Sequence, residues 1–69
     1  MNKVLVVDDE ESFTDLVSRI VEKHGLTVRT ASSADEFEDI FFEFEPQVAV
    51  IDIVMPERDG FELIDWLKH

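Results

Sequence analysis

The chain has 69 residues, 45% of them hydrophobic, and seventeen Asp and Glu against six Lys and Arg give a formal net charge of −11. That length holds one domain, residues 1–69, and buries only about 60% of the surface its unfolded form exposes; without cysteine, neither a disulfide nor a thiolate metal site supports it. The charge argues against direct binding to nucleic acid or anionic lipid and favours a divalent cation and basic partners.

The apolar residues fall in ordered runs, which sets the chain apart from acidic disordered segments. The N-terminus enters a strand directly, with no basic n-region or long apolar h-region, so no signal peptide is expected. No apolar run approaches the roughly 20 residues of a membrane span. The expected location is the cytoplasm.

The pattern reads strand, helix, strand, helix, strand, helix. Residues 3–7 contain Val4-Leu5-Val6-Val7, an unbroken apolar run that reads as a strand buried on both faces. A first helix is predicted from Ser12, where Ser12 and Asp15 have near-capping-box spacing. Phe13, Leu16, Val17, Ile20 and Val21 form its apolar stripe, and Gly25 ends it as a left-handed cap. Residues 27–30 alternate polar and apolar and read as a short edge strand.

Ser33 and Glu36 form a capping box for the second helix, and Pro46 bars its continuation. Its four phenylalanines, Phe37, Phe41, Phe42 and Phe44, cannot share one stripe. Either Phe37, Ile40, Phe41 and Phe44 face the core and Phe42 stands alone outside, or the rings form an aromatic patch at an interface. Val48-Ala49-Val50-Ile51 is the third strand and again reads as buried. A loop over 53–58 follows, with Pro56 forcing Met55 toward extended geometry. Asp59 and Glu62 cap a third helix whose apolar residues are Phe61, Leu63, Ile64, Trp66 and Leu67.

Alternating strands and helices imply right-handed crossovers and a parallel sheet. The hydrophobicity of the strands predicts an α/β fold of three βα units with strand order 2-1-3. Ligands of such sheets bind at the carboxyl ends of the strands, where the winding reverses. That point lies between the first and third strands, where Asp8, Asp9 and Asp52 would converge. Like charges brought that close call for a cation. Mg²⁺ takes oxygen ligands in octahedral geometry, and a carboxylate beside it can act as a nucleophile toward a phosphoryl group. Spacing alone leaves this reading level with a plainer one, in which the acids close strands and cap helices. Glu10 and Glu11, which extend the acidic run, read as a solvated helix N-terminus.

Val4-Leu5-Val6-Val7-Asp8-Asp9-Glu10, together with Asp52-Ile53-Val54-Met55-Pro56-Glu57-Arg58-Asp59-Gly60, resembles the receiver domain of two-component response regulators. Gly25 before the second strand and Pro46 before the third match as well, and the resemblance covers the whole chain. It implies a truncated flavodoxin-like fold and a signalling module rather than an enzyme. Asp52 would accept a phosphoryl group from a histidine kinase or histidine phosphotransfer protein. Asp9 and Asp52 would bind Mg²⁺ with the backbone carbonyl of Val54, and Asp8 would help directly or through water. Thr14 would lie on the surface that meets the phosphodonor, Phe13 would be core or staple, and Met55-Pro56 would shape the loop beside the acceptor.

The chain matches the N-terminal half of a receiver. The resemblance places a Ser or Thr on a fourth strand and a Lys on a fifth, and Lys3, Lys23 and Lys68 do not stand at the matching place. Phosphorylation is therefore expected to be impaired. The third strand would have a free apolar edge, open to pairing with a second copy in a homodimer or larger assembly. One rival reading is a self-associating structural fragment without signalling activity. Another is a magnesium-dependent phosphatase with a nucleophilic Asp, which commonly has a second acid two residues later, where this chain has Val54.

Overall fold

The computed structural model describes residues 2–69. In chain order the elements are β1 (Lys3–Val7), α1 (Glu11–Lys23), β2 (Thr27–Ala31), α2 (Ala34–Phe44), β3 (Val48–Ile51) and α3 (Gly60–Lys68). The strands form one parallel sheet in the order β2-β1-β3. Leu5 lies opposite Arg29 and Ala49, and Val7 lies opposite Ala31 and Ile51.

The central strand is buried from Val4 to Val7, as expected for an unbroken apolar run with a neighbour on either side. Side chains alternate across a strand, so the run serves two faces. Leu5 and Val7 join Ala31, Ala34, Phe37, Phe44, Met55 and Leu63 in the core beneath α2 and α3. Val4 and Val6 serve the opposite face, where α1 packs on β1 and β2.

β3 departs from expectation. Val48, Ala49 and Val50 are exposed and Ile51 is half-buried. Its run is as apolar as that of β1, but among the described residues β3 is an edge strand with no neighbour on its outer side. Apolarity specifies what a strand can bury, and topology decides what it does bury.

The helix ends show local chemistry at work. α1 starts at Glu11 with Glu10 as N-cap, one residue before the predicted Ser12, and no side chain caps it. The Asp8 carboxylate accepts the Glu10 N–H at 2.9 Å and turns the chain early. At the other end Gly25 has φ +80°, donates to Glu22 O, and lets Leu26 N–H reach Val21 O. This is a complete Schellman closure. Ser33 Oγ accepts the Glu36 N–H as expected, whereas the Glu36 carboxylate reaches back to Ser32 N–H rather than to Ser33. Asp59 Oδ1 accepts the Glu62 N–H at the start of α3.

The stripe of α1 is largely uncovered, with Phe13, Leu16 and Ile20 exposed and Val17 and Val21 half-buried. Phe13 is therefore not a core residue. On α2, Phe37 and Phe44 are buried, Ile40 and Phe41 pack against the core from its margin, and Phe42 is exposed.

Candidate functional site

The site grows out of strand register. Val7 and Ile51 are neighbours, so the residues that follow them leave the sheet side by side. Asp52 N–H donates to Val7 O at 3.0 Å, and Asp8 N–H donates to Ala31 O at 3.2 Å. These bonds extend the ladder just past the strand ends. Asp8, Asp9 and Asp52 each bring one carboxylate oxygen into a group whose members lie within 4.8 Å of one another. Asp8 and Asp52 are half-buried and Asp9 is exposed.

Two of the acids also shape the chain that leaves the sheet. Asp8 Oδ1 accepts from Glu10 N–H, and Asp52 Oδ1 accepts from Val54 N–H at 3.2 Å. Each is a local side-chain-to-backbone turn two residues long. The plainer reading, in which the acids close strands and cap helices, is met in part: one oxygen of Asp8 and one of Asp52 close the turn that follows their strand. It does not account for the convergence of three carboxylates from two strands. Hard oxygen donors of this kind suit Mg²⁺, whose ligands sit at about 2.0–2.1 Å. Ligand atoms already within 4.8 Å of one another can close on such an ion by small side-chain movements.

The loop after Asp52 is held from three directions. Met55 is buried in the core beneath α2. Gly60 N–H donates to Ile53 O at 3.0 Å, and a Cβ at Gly60 would come within 2.8 Å of Ile53 Cα and 2.9 Å of Ile51 Cγ2. Only glycine lets α3 start this close to the end of β3. Arg58 crosses from the loop to α2, where Nη1 donates to Asp35 at 2.8 Å and Nη2 donates to Glu38. Its Nε lies 3.8 Å from Glu62 on α3. These carboxylates hold the guanidinium pKa above its ordinary value, first through the hydrogen bond that Glu38 accepts and then through the one that Asp35 accepts.

Thr14 is corrected by the structure. It is 5% exposed, with Oγ1 donating to Glu11 O at 3.0 Å, so it belongs to the helix rather than to a contact surface. The side chain of Val54 is exposed. Arg58 is the positioning residue that sequence reasoning missed. A single base in a stretch rich in acids was the available signal, but spacing does not say which acids it meets.

Comparison with known proteins places the fold in a family. A family model described as the response regulator receiver domain matches residues 4–69. The transcriptional regulatory protein GltR of Pseudomonas aeruginosa is 31% identical over 65 residues, covering 94% of this chain and 27% of its own length. Among solved structures, the chemotaxis protein CheY4 of Vibrio cholerae superposes with a TM-score of 0.94 at 32% identity, over 99% of this chain and 57% of that one. The response regulator TrrA of Thermotoga maritima, crystallised in complex with Mg²⁺-BeF, superposes with a TM-score of 0.92 at 29% identity, over 99% of this chain and 59% of that one.

The chain belongs to the response regulator receiver domain family. Receiver domains are the phosphoacceptor signalling modules of two-component systems. The chain spans about a quarter of the curated relative it matches and little more than half of the solved receivers.

Proposed function

We propose that Asp52 is the phosphoacceptor, with Asp8, Asp9, Asp52 and the backbone carbonyl of Val54 as the ligands of Mg²⁺. The observation that carries this reading is the meeting of three carboxylates from β1 and β3 within 4.8 Å at the carboxyl edge of the sheet. Mg²⁺, when bound, neutralises charge on the transferring phosphoryl group. An Asp52 carboxylate oxygen attacks phosphorus, the P–N bond of a phosphohistidine breaks, and its electron pair stays on the imidazole. The product is an acyl phosphate on Asp52. Met55, Gly60 and Arg58 hold the loop that carries the Val54 carbonyl. The Mg²⁺-BeF complex of the Thermotoga relative supports the choice of metal.

The phosphodonor on this reading is a histidine kinase or histidine phosphotransfer protein, and the setting is the cytoplasm. No helix among the described residues is long and apolar enough to cross a membrane. The open edge of β3, with Val48 50% and Val50 36% exposed, supports association of two copies through that strand.

Intact-mass spectrometry after incubation with acetyl phosphate and Mg²⁺ tests the assignment. A phosphoryl adduct that requires the metal and vanishes in Asp52→Asn is the expected result. An adduct that persists in Asp52→Asn, or that forms equally without the metal, overturns it.

A further inference from the structure

A second recess lies between α2 and α3, away from the acid cluster. It encloses about 780 Å³ and is lined chiefly by Phe41, Phe42, Trp66 and Leu67, with Glu62 and Asp65 beside them. That volume falls within the range of ligand-binding clefts.

Its aromatic wall is the outer end of a stack that begins in the core. Phe37 is fully buried and lies 5.8 Å from Phe41 and 6.4 Å from Trp66. Phe41 and Trp66 are 5.4 Å apart, and both reach Phe42, at 5.5 and 5.6 Å. Phe42 is 74% exposed. An isolated exposed aromatic needs no explanation. Phe42 is not isolated: it extends a contiguous, core-anchored aromatic surface into solvent, which is how rigid anchor sites at interfaces are built.

Charge selects the occupant. α2 carries Asp35, Glu36, Glu38, Asp39 and Glu43 and no Lys or Arg. The Arg58 guanidinium at the groove is shared among Asp35, Glu38 and Glu62, three carboxylates against one cation. Asp65 has beside it the imidazole of His69, at 3.6 Å. A second copy would set its own acid-rich α2 against this one, which like-charge repulsion opposes. Nucleic acid and anionic membrane are opposed for the same reason. A positively charged polypeptide is favoured, and a cleft between two helices suits the apolar face of a third.

We propose that the α2–α3 groove docks a cationic amphipathic helix of a partner protein. Apolar side chains of that helix cover Phe42 and Trp66, and its Lys or Arg residues face Glu62 and Asp65. The proposal does not depend on phosphorylation of Asp52 and is tested without metal or phosphodonor.

Trp66 is the single tryptophan of the chain, so its emission reports on the groove directly. The probe is a synthetic helix of Leu and Lys with all Leu on one face, compared with a peptide of the same composition in scrambled order. The expected result is a saturable blue shift of Trp66 emission with the amphipathic helix, weakened by salt. Phe42→Ala, and separately Glu62→Gln with Asp65→Asn, should each weaken binding about tenfold or more, while Asp52→Asn leaves it unchanged. Phe42 is exposed, so its removal spares the fold, and circular dichroism checks this. Equal binding of the scrambled peptide, or unchanged affinity in the Phe42 or the Glu62/Asp65 variant, overturns the proposal. So does a Trp66 shift on concentrating the chain alone that Phe42→Ala abolishes, because the groove would then receive a second copy.

Discussion

Gly60 packs so closely on Asp52 that a side chain at Gly60 would collide with the Asp52 carbonyl oxygen. The start of α3 and the end of β3 are thereby one unit, and the acid cluster inherits its geometry from this contact. Gly60→Ala must displace backbone rather than a flexible side chain. It is expected to cost about 1–3 kcal/mol, as overpacking does, and to lower Mg²⁺ affinity as well. Urea unfolding followed through Trp66, together with a Mg²⁺ titration, checks both. A variant as stable as the parent would show that the loop relaxes freely.

Asp9 is the exposed member of the cluster and forms no turn of its own, in contrast to Asp8 and Asp52. Asp9→Asn should therefore leave folding within about 0.5 kcal/mol of the parent, as for other surface substitutions, and weaken Mg²⁺ binding by about tenfold or more. Calorimetric titration with Mg²⁺ measures the affinity. Retained affinity would remove Asp9 from the ligand set.

Arg58 joins the loop to α2 and α3 through three carboxylates. Arg58→Ala should lower the midpoint of urea unfolding, and the difference should shrink as salt is added. The folded-state pKa of Arg58 is raised by these carboxylates, so its contribution is fully present wherever the unfolded-state guanidinium is charged and is lost only in strong alkali, as pH rises through the folded value. The gap between parent and variant should therefore not narrow between about pH 7 and pH 10, where Arg stays charged. Unfolding curves across that range and at two salt concentrations measure it, and a gap that salt leaves unchanged would mean that Arg58 acts by packing rather than by charge.

Val50 lies on the open edge strand and is 36% exposed. Val50→Lys places a charge where a second β3 would pair, a device that natural edge strands use. Light scattering should show the parent associating at micromolar concentration and the variant remaining a monomer with unchanged circular dichroism. A parent that is a stable folded monomer would end the edge-pairing proposal.

Much of this protein could be read from residue order. Local signals placed the elements: the Val4–Val7 run, Gly25 at its +80° turn, Ser33 before α2 and Asp59 before α3. They act within a few residues, so linear spacing carries them. The convergence of Asp8, Asp9 and Asp52 was also legible, because parallel order 2-1-3 puts the ends of β1 and β3 together whatever the details. Helix starts were less secure. The carboxylate of Asp8 captured Glu10 N–H and set α1 one residue early, a competition that capping patterns do not rank.

Strand and helix order, the acidic edge and the family resemblance follow from the residues alone. Each depends on residue type and short-range spacing. The exposure of β3, the burial of Thr14, the aromatic wall that Phe42 completes with Trp66 and the binding of Arg58 to α2 emerge only when the chain is folded. Burial and long-range pairing depend on which surfaces find a neighbour, and a residue's own chemistry does not contain that information.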